Sequence, residues 1–150
     1  MSRFRGSYQY SIDAKGRINV PAKFRKALNP EADETFVIVR GPDKCLQAYP
    51  LDTWQSVEEK LDARPQTPDT TRLRRELYSS IADSKLDAQG RIAITPKQMS
   101  IAHISSKVVL EGQGAYIEIW SPEIYDTYFS DDSNFEDVYY QSVQDGIKAS

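Results

Sequence analysis

The chain has 150 residues and a formal net charge of −3, and 39% of its residues are hydrophobic. No apolar run approaches the roughly 18 residues that a membrane span needs, and the single cysteine, Cys45, excludes an internal disulfide and a cysteine-rich metal site. These features favour a cytoplasmic protein with one domain, or with two small halves that share one core.

A stretch near the start, residues 13–21, is typical of a tight turn followed by a strand and the start of a helix. Its sequence is Asp-Ala-Lys-Gly-Arg-Ile-Asn-Val-Pro. Gly16 permits a sharp turn because it has no Cβ, and Asp13 can close that turn by accepting backbone N–H groups. Alternation of polar and apolar residues predicts a strand from about Ser7 into the turn and a second strand over 17–20.

The cations of the chain gather in its first half. Residues 1–75 hold 14 Lys/Arg against 10 Asp/Glu, a net of +4, whereas residues 76–150 hold 5 against 12, a net of −7. A local basic patch matters more for phosphate binding than the global charge does, although a solvated basic face is the alternative. A short helix is predicted from Pro21, and its exposed side carries Lys23, Arg25 and Lys26.

The remainder of the first half predicts two more strands and two helices. The strands cover residues 35–40 and 45–49, a helix begins at about Leu51, and a break follows over 64–69. Thr67-Pro68 opens the next helix as N-cap and first helical residue. Three arginines of that helix are expected to be solvated or ion-paired rather than ligand-binding: Arg72, Arg74 and Arg75.

The second half repeats this order. Residues 87–94, Asp-Ala-Gln-Gly-Arg-Ile-Ala-Ile, match residues 13–20 at an offset of 74, which indicates a duplication. A capping-box pattern over 133–136 suggests a last helix, and the end from Asp145 is expected to fray. The repeat predicts a strand over 91–94, a short helix after Pro96, strands over 107–111 and 115–120, and a helix opened by Ser121-Pro122.

No catalytic constellation stands out in the sequence. His103 lacks an evident nucleophilic partner, and Cys45 is expected to be a packed thiol rather than a nucleophile. Residues 112–114 lack the third glycine of a dinucleotide fingerprint, and the acidic residues 131–132 lack EF-hand spacing. Three classes of function stay open: a DNA binder that uses the first turn, an enzyme with scattered carboxylates, and a structural protein that self-assembles. Exposed strand edges would permit oligomers in each class.

The doubled motif and the arm over residues 3–6 together resemble the MraZ family of AbrB-like, swapped-hairpin transcription factors. The resemblance covers about residues 3–129. It implies a regulator of the division and cell-wall gene cluster that binds short tandem repeats upstream of its own gene and assembles into rings. It also implies that Arg17 and Lys15 face DNA. Gln89 replaces that lysine in the second motif, which favours a DNA role for the first motif and mainly a role in the fold for the second.

We therefore predict an α+β, β-rich fold of two tandem AbrB-like (swapped-hairpin) repeats, residues 3–66 and 67–129, that share one barrel-like core. Neither half should be stable alone. Residues 130–150 are expected to form an acidic segment with a short helix and a disordered end. The predicted DNA-binding residues are Arg3, Arg5, Lys15, Arg17, Lys23, Arg25 and Lys26, with Arg91 as a secondary candidate.

The predicted partners are double-stranded DNA, as promoter-proximal direct repeats, and other copies of the chain in a ring-like homo-oligomer. The expected location is the cytoplasm, at the nucleoid. We predict no enzyme activity, no cofactor, no metal site, no membrane contact and no small-molecule ligand.

Overall fold

The computed structural model of the chain describes residues 3–130 and 134–144, and its two halves share one order of elements. The first half contains β1 (Ser7–Ser11), β2 (Arg17–Asn19), α1 (Ala22–Lys26), β3 (Thr35–Arg40), β4 (Leu46–Pro50) and α2 (Leu51–Asp62). The connecting helix is α3 (Pro68–Tyr78). The second half contains β5 (Ala82–Lys85), β6 (Arg91–Ala93), α4 (Pro96–Ile101), β7 (Lys107–Gly112), β8 (Ile117–Trp120) and α5 (Pro122–Tyr128). It is followed by α6 (Phe135–Tyr139) and one wider helical turn (Tyr140–Gln144).

The predicted strands and helices are confirmed within one or two residues at most ends. Thr67 caps α3, since its side chain accepts a hydrogen bond from the Thr70 N–H, and Ser121 caps α5 in the same way. The sequence pattern gives no sign of β5, because its four residues are mostly polar and lack an apolar face. The predicted capping box relies on Ser133, which lies outside the described residues, as does the end from Asp145.

The strands of the two halves are interleaved in one six-stranded antiparallel sheet. Its order is β1-β7-β8-β4-β3-β5, and β2 pairs with β6 in a separate two-stranded ribbon. Four ladders join one half to the other: β1 with β7, β3 with β5, β4 with β8, and β2 with β6. Among the strands of residues 3–130 and 134–144, β3–β4 and β7–β8 are the hairpins that pair within a half. The pairing is therefore an exchange of strands between halves, related by an approximate twofold axis.

The main core lies under one face of the sheet and draws on both halves. Phe4, Phe24 and Phe36 meet there, with ring centroids 5.4 Å and 6.1 Å from Phe4, and all three are almost fully buried. Ile18 of β2 and Ile92 of β6 pair directly and close the same core. Because this one cluster of buried side chains contains residues of both halves, the two halves share one hydrophobic core.

The other face of the sheet is covered by helices. α2 and α3 cover Val37 and Val39, whereas α5 covers Val109 and Trp120. On α3, Arg72 pairs with Glu76 and Arg74 pairs with Asp62, so two of the three arginines there are ion-paired. Within residues 3–130 and 134–144, no helix has the length and apolar character needed to cross a membrane.

The fold is α+β with a mostly antiparallel sheet, and β1 and β5 are the outer strands of that sheet. The described residues contain no ladder between β1 and β5, so the barrel-like closure stays a prediction. The boundaries over 3–66, 67–129 and 130–150 also stay predictions. The ribbon of β2 and β6 carries both copies of the sequence motif to one place, and the candidate site begins there.

Candidate nucleic-acid interface

The two motif turns, residues 13–17 and 87–91, have the same internal hydrogen bonds. In the first turn, Oδ1 of Asp13 accepts the backbone N–H groups of Lys15, at 3.0 Å, and of Arg17, at 2.9 Å. In the second turn, Oδ1 of Asp87 accepts the corresponding N–H groups of Gln89 and Arg91, both at 2.9 Å. In both motifs, therefore, an aspartate four residues before an arginine closes the turn through the same two backbone hydrogen bonds.

The other carboxylate oxygen of each aspartate holds the arginine side chain. Arg17 Nε donates to Asp13 Oδ2 at 2.6 Å, and Arg91 Nε donates to Asp87 Oδ2 at 2.8 Å. Since a guanidinium has five N–H donors, four of which lie on the Nη atoms, this contact fixes the direction of the side chain and leaves the Nη donors for another acceptor. The Arg17 side chain therefore also braces the first turn through its ion pair with Asp13.

The same contacts lower the pKa of both carboxyl groups. For Asp13 the main cause is the backbone N–H of Arg17, followed by the Arg17 side chain and the Lys15 N–H. For Asp87 the main cause is the backbone N–H of Arg91, with its side chain and the Gln89 N–H next. Both aspartates are therefore ionised at neutral pH and keep the arginines oriented.

Antiparallel pairing of β2 with β6 brings the two arginines onto one exposed face. Arg17 lies opposite Ala93 and Asn19 lies opposite Arg91, whereas Ile18 and Ile92 point into the core. Arg17 and Arg91 are thus diagonal neighbours, with Cα atoms roughly 7–8 Å apart by the geometry of such pairs. Arg91 Nη1 also lies 4.0 Å from Asp13 Oδ2, which joins the two turns.

A shallow depression of about 180 Å³ marks this face of the ribbon, and Asp13, Arg17, Asn19 and Arg91 contribute to its lining. The Arg17 side chain is 36% exposed and the Arg91 side chain is 23% exposed. The first motif therefore exposes more of its arginine side chain than the second does.

The glycine of each turn accepts a backbone hydrogen bond from the residue that follows the strand after the other turn. Val20 N–H donates to Gly90 O at 3.0 Å, and Ile94 N–H donates to Gly16 O at 2.9 Å. Gly16 and Gly90 have φ values of +76° and +77°, which favour glycine. A Cβ at Gly16 would overlap the carbonyl oxygen of Ile94, whereas a Cβ at Gly90 would meet the side chain of Arg25.

The basic residues predicted to bind DNA lie in three places. Lys15 is exposed at the tip of the first turn. Arg25 of α1 lies over Gly90 of the second turn, 2.9 Å from the position of a Cβ there, and its Nε donates to Val20 O at 3.1 Å. Lys23 and Lys26 are exposed on the same short helix. The helix of the first half thus supplies cations beside the turn of the second half.

Arg3 and Arg5 lie at the far end of β1. Arg3 Nη1 lies 3.0 Å from the Cβ position of Gly114, in the connection between β7 and β8. The first turn follows the other end of β1, and five strand residues span roughly 17 Å. The described structure therefore does not bring these two arginines to the ribbon.

Sequence reasoning missed Asn19 and the position of Arg25. Asn19 could have been found, since the period of two in a strand places it on the same face as Arg17. The position of Arg25 depends on the exchange of strands between halves, which has no local signal in the sequence.

Cys45 lies in a different environment, away from the turns. It is fully buried, and its thiol lies 3.8 Å from Glu118 Oε2. Burial, reinforced by the charge of Glu118, raises the pKa of the Cys45 thiol to about 12. The thiolate needed for nucleophilic attack is therefore scarce at neutral pH, in agreement with a packed thiol.

Comparison with known protein families gives a match over nearly the whole chain. The family model described as "MraZ protein, putative antitoxin-like" matches residues 3–76 and again residues 80–143. Each match contains one motif turn and the strands on either side of it.

Proposed function

The chain belongs to the MraZ family of transcription regulators, and we propose that it is a sequence-specific DNA-binding regulator of the division and cell-wall gene cluster. Its proposed target is a set of short tandem repeats upstream of its own gene. Its proposed location is the cytoplasm, in association with the nucleoid.

The observation that carries this proposal is the exposed face of the β2–β6 ribbon. It holds two arginines, each fixed by an aspartate through Nε, and Asn19, which lies opposite Arg91 and on the same strand as Arg17. The major groove of B-DNA is about 12 Å wide and admits a two-stranded ribbon, whose strands are about 4.8 Å apart. An arginine with free Nη donors can bind O6 and N7 of guanine, and an asparagine can bind adenine.

We assign different roles to the cations around this face. Arg17 is the main base-reading residue, and Arg91 is the second, because its side chain is less exposed. Lys15, Lys23, Arg25 and Lys26 are proposed phosphate contacts that set the position of the ribbon on the duplex. Arg3 and Arg5, beyond the far end of β1, would reach only a more distant phosphate or the DNA of a neighbouring repeat.

Assembly into a ring-like homo-oligomer would give several equivalent ribbons to one stretch of DNA. Spaced repeats would then be bound through avidity, although each single contact is modest. This idea explains why tandem repeats, rather than one long site, are the proposed target.

A footprint on the DNA upstream of the protein's own gene tests the proposal. We expect protected segments at a regular spacing, and affinity for that DNA that falls steeply with salt concentration. Uniform protection without register, or equal affinity for unrelated duplexes at physiological salt, would contradict sequence-specific binding.

A further inference from the structure

Exposed large hydrophobic side chains are confined to two regions of the described residues. Seven of the nine lie within 16 residues near the end of the chain: Tyr128, Phe129, Phe135, Val138, Tyr139, Tyr140 and Val143. The other two, Leu73 and Tyr78, lie on α3. Such concentrated exposure marks an interaction surface rather than ordinary scatter. We call residues 128–130 and 134–143 the C-terminal aromatic segment.

Among the described residues, the C-terminal aromatic segment is only partly covered by its own chain: Tyr128 and Phe129 pack against Trp120 and remain about half exposed. All described residues from 134 to 144 are exposed, and Phe135 is 66% exposed. A cleft of about 610 Å³ separates the end of α5 from α6 and is lined mainly by aromatic and aliphatic side chains. The segment is also acidic: Glu136 and Asp137 lie on α6, and the sequence has no Lys or Arg from residue 108 to residue 147.

The second region is a groove between α2 and α3, which we call the α2–α3 groove. It has a volume of about 510 Å³ and an apolar floor formed by Val57, Leu61 and Leu73. Lys60 and Arg64 lie at its rim together with one acidic residue, Asp69, so the rim has a net positive charge. Neither cation forms a salt bridge within residues 3–130 and 134–144, so the rim is open to an acidic partner.

We propose that the C-terminal aromatic segment of one copy docks into the α2–α3 groove of a second copy. The inference rests on the homo-oligomer of the proposed function and names its interface. An apolar segment that carries Glu136 and Asp137 would meet an apolar groove with a net basic rim. Both surfaces are present in every chain, so each copy can give one contact and receive another.

The two surfaces are different patches, so the contact is heterologous. A heterologous contact repeats from copy to copy and closes into a ring when the rotation allows it. A partner of another kind would need only one of the two surfaces, whereas a second copy accounts for both at once.

The test uses two variants that each break one surface. Phe135→Asp damages the segment and leaves the groove, and Leu73→Asp damages the groove and leaves the segment. Both side chains are well exposed in the single chain, so neither change should disturb its fold. By light scattering, each variant alone should require at least a tenfold higher concentration to assemble than the original chain does. Ser100→Asp, at an exposed position of α4, is the control for the added charge and should assemble normally.

Mixing the two variants gives the sharpest readout. The intact segment of Leu73→Asp can dock into the intact groove of Phe135→Asp. The two surfaces that remain free in this pair are the damaged ones, so no third copy can be added. The mixture should therefore contain a species of twice the chain mass of 17.1 kDa, while each variant alone stays monomeric. Normal assembly by Leu73→Asp alone, or a mixture that stays monomeric, would overturn the proposal.

A charge exchange keeps the test independent of the aspartate variants. Lys60→Glu with Arg64→Glu should weaken assembly, and Glu136→Lys with Asp137→Lys in the same chain should restore it. No restoration would overturn the ionic part of the contact and with it the choice of a second copy.

Binding to DNA with a single repeat separates this inference from the proposed function. Both aspartate variants should bind one repeat as the original chain does and lose only the gain from tandem repeats. If the original chain fails to bind repeats while the mixture still forms dimers, the proposed function is wrong and the interface stands. If repeats are bound but assembly is unaffected in both variants, the interface is wrong and the function stands.

Discussion

The first and second motif turns have the same backbone and the same aspartate–arginine contact, yet they differ in their surroundings. The contact measures 2.6 Å between Asp13 and Arg17 and 2.8 Å between Asp87 and Arg91. The tip residue is Lys15 in the first turn and Gln89 in the second. A repeated motif can thus keep one local structure while the side chains at and around its two copies differ.

The missing cation of the second turn has a substitute from the other half. Arg25 of α1 lies over Gly90, because the strand exchange places the first half's helix beside the second half's turn. The second turn is therefore not as poor in positive charge as its sequence suggests. The difference between the turns lies in whether the cation is part of the turn or packed against it.

The largest effect on stability is expected when the two turns are separated by removing the second half of the chain. A fragment of residues 1–66 would keep the β3–β4 hairpin and lose the partners of β1, β2 and β4 from the second half. We expect no cooperative thermal transition for this fragment, by circular dichroism and calorimetry. A well-folded monomer would show that the halves do not depend on each other.

The two glycines provide the next largest effect. Gly16→Ala forces a Cβ against the backbone of Ile94 at positive φ, and we expect a loss of roughly 2–5 kcal/mol in unfolding free energy. The Cβ of Gly90→Ala would contact only the flexible Arg25 side chain. We therefore expect a smaller loss of unfolding free energy, roughly 1–2 kcal/mol. Urea unfolding of both variants measures the difference, and equal losses would argue against the unequal packing of the turns.

Much of the local structure could be predicted from the sequence. The turn residues, the caps at Thr67 and Ser121, and the alternation in β1 and β3 are local signals, and the structure has each of these elements. The duplication was readable as well, since the motif recurs almost unchanged. These features depend on residues close together in the chain.

The exchange of strands between halves could not be predicted in this way. β5 forms because β3 offers an open edge to its polar residues, and Arg25 reaches Gly90 because β2 pairs with β6. Both results depend on contacts between residues at least 44 positions apart, for which the sequence has no local pattern. The grouping of Arg17, Asn19 and Arg91 on one face has the same origin.

Substitutions of the tip residues Lys15 and Gln89 are expected to have a smaller effect, on the salt dependence of DNA binding. Lys15→Ala should weaken binding to all DNA sequences alike and lower the slope of log K against log salt by about one, since one phosphate contact is lost. Gln89→Lys is the matched change in the second turn and should raise that slope if its tip lies near phosphate. Affinities at four or more salt concentrations measure both, and an unchanged slope for Lys15→Ala would remove Lys15 from the interface.

The smallest expected effect is a change in how the stability of the folded chain depends on pH in the acidic range. The pKa values of Asp13 and Asp87 are lowered in the folded chain, so their contribution to stability is complete above the ordinary carboxyl pKa near 3.9. That contribution disappears as pH falls through the lowered folded values. Asp13→Asn should therefore flatten the loss of stability below about pH 4, with a similar result for Asp87→Asn. Melting temperatures between pH 2 and pH 7 check this, and identical curves would argue against the contact.

The central claim is that Arg17, held by Asp13, reads a base through its free Nη donors. The most direct test measures the affinity of the original chain and of Arg17→Ala for a repeat in which each base pair is changed in turn. The account predicts one position at which a change costs the original chain roughly 1–3 kcal/mol and costs Arg17→Ala almost nothing, with Arg91→Ala showing a weaker version. Melting temperatures of the same proteins show how much affinity is lost through unfolding. An Arg17→Ala protein that keeps every base preference, or whose loss of binding is fully explained by unfolding, would contradict the claim.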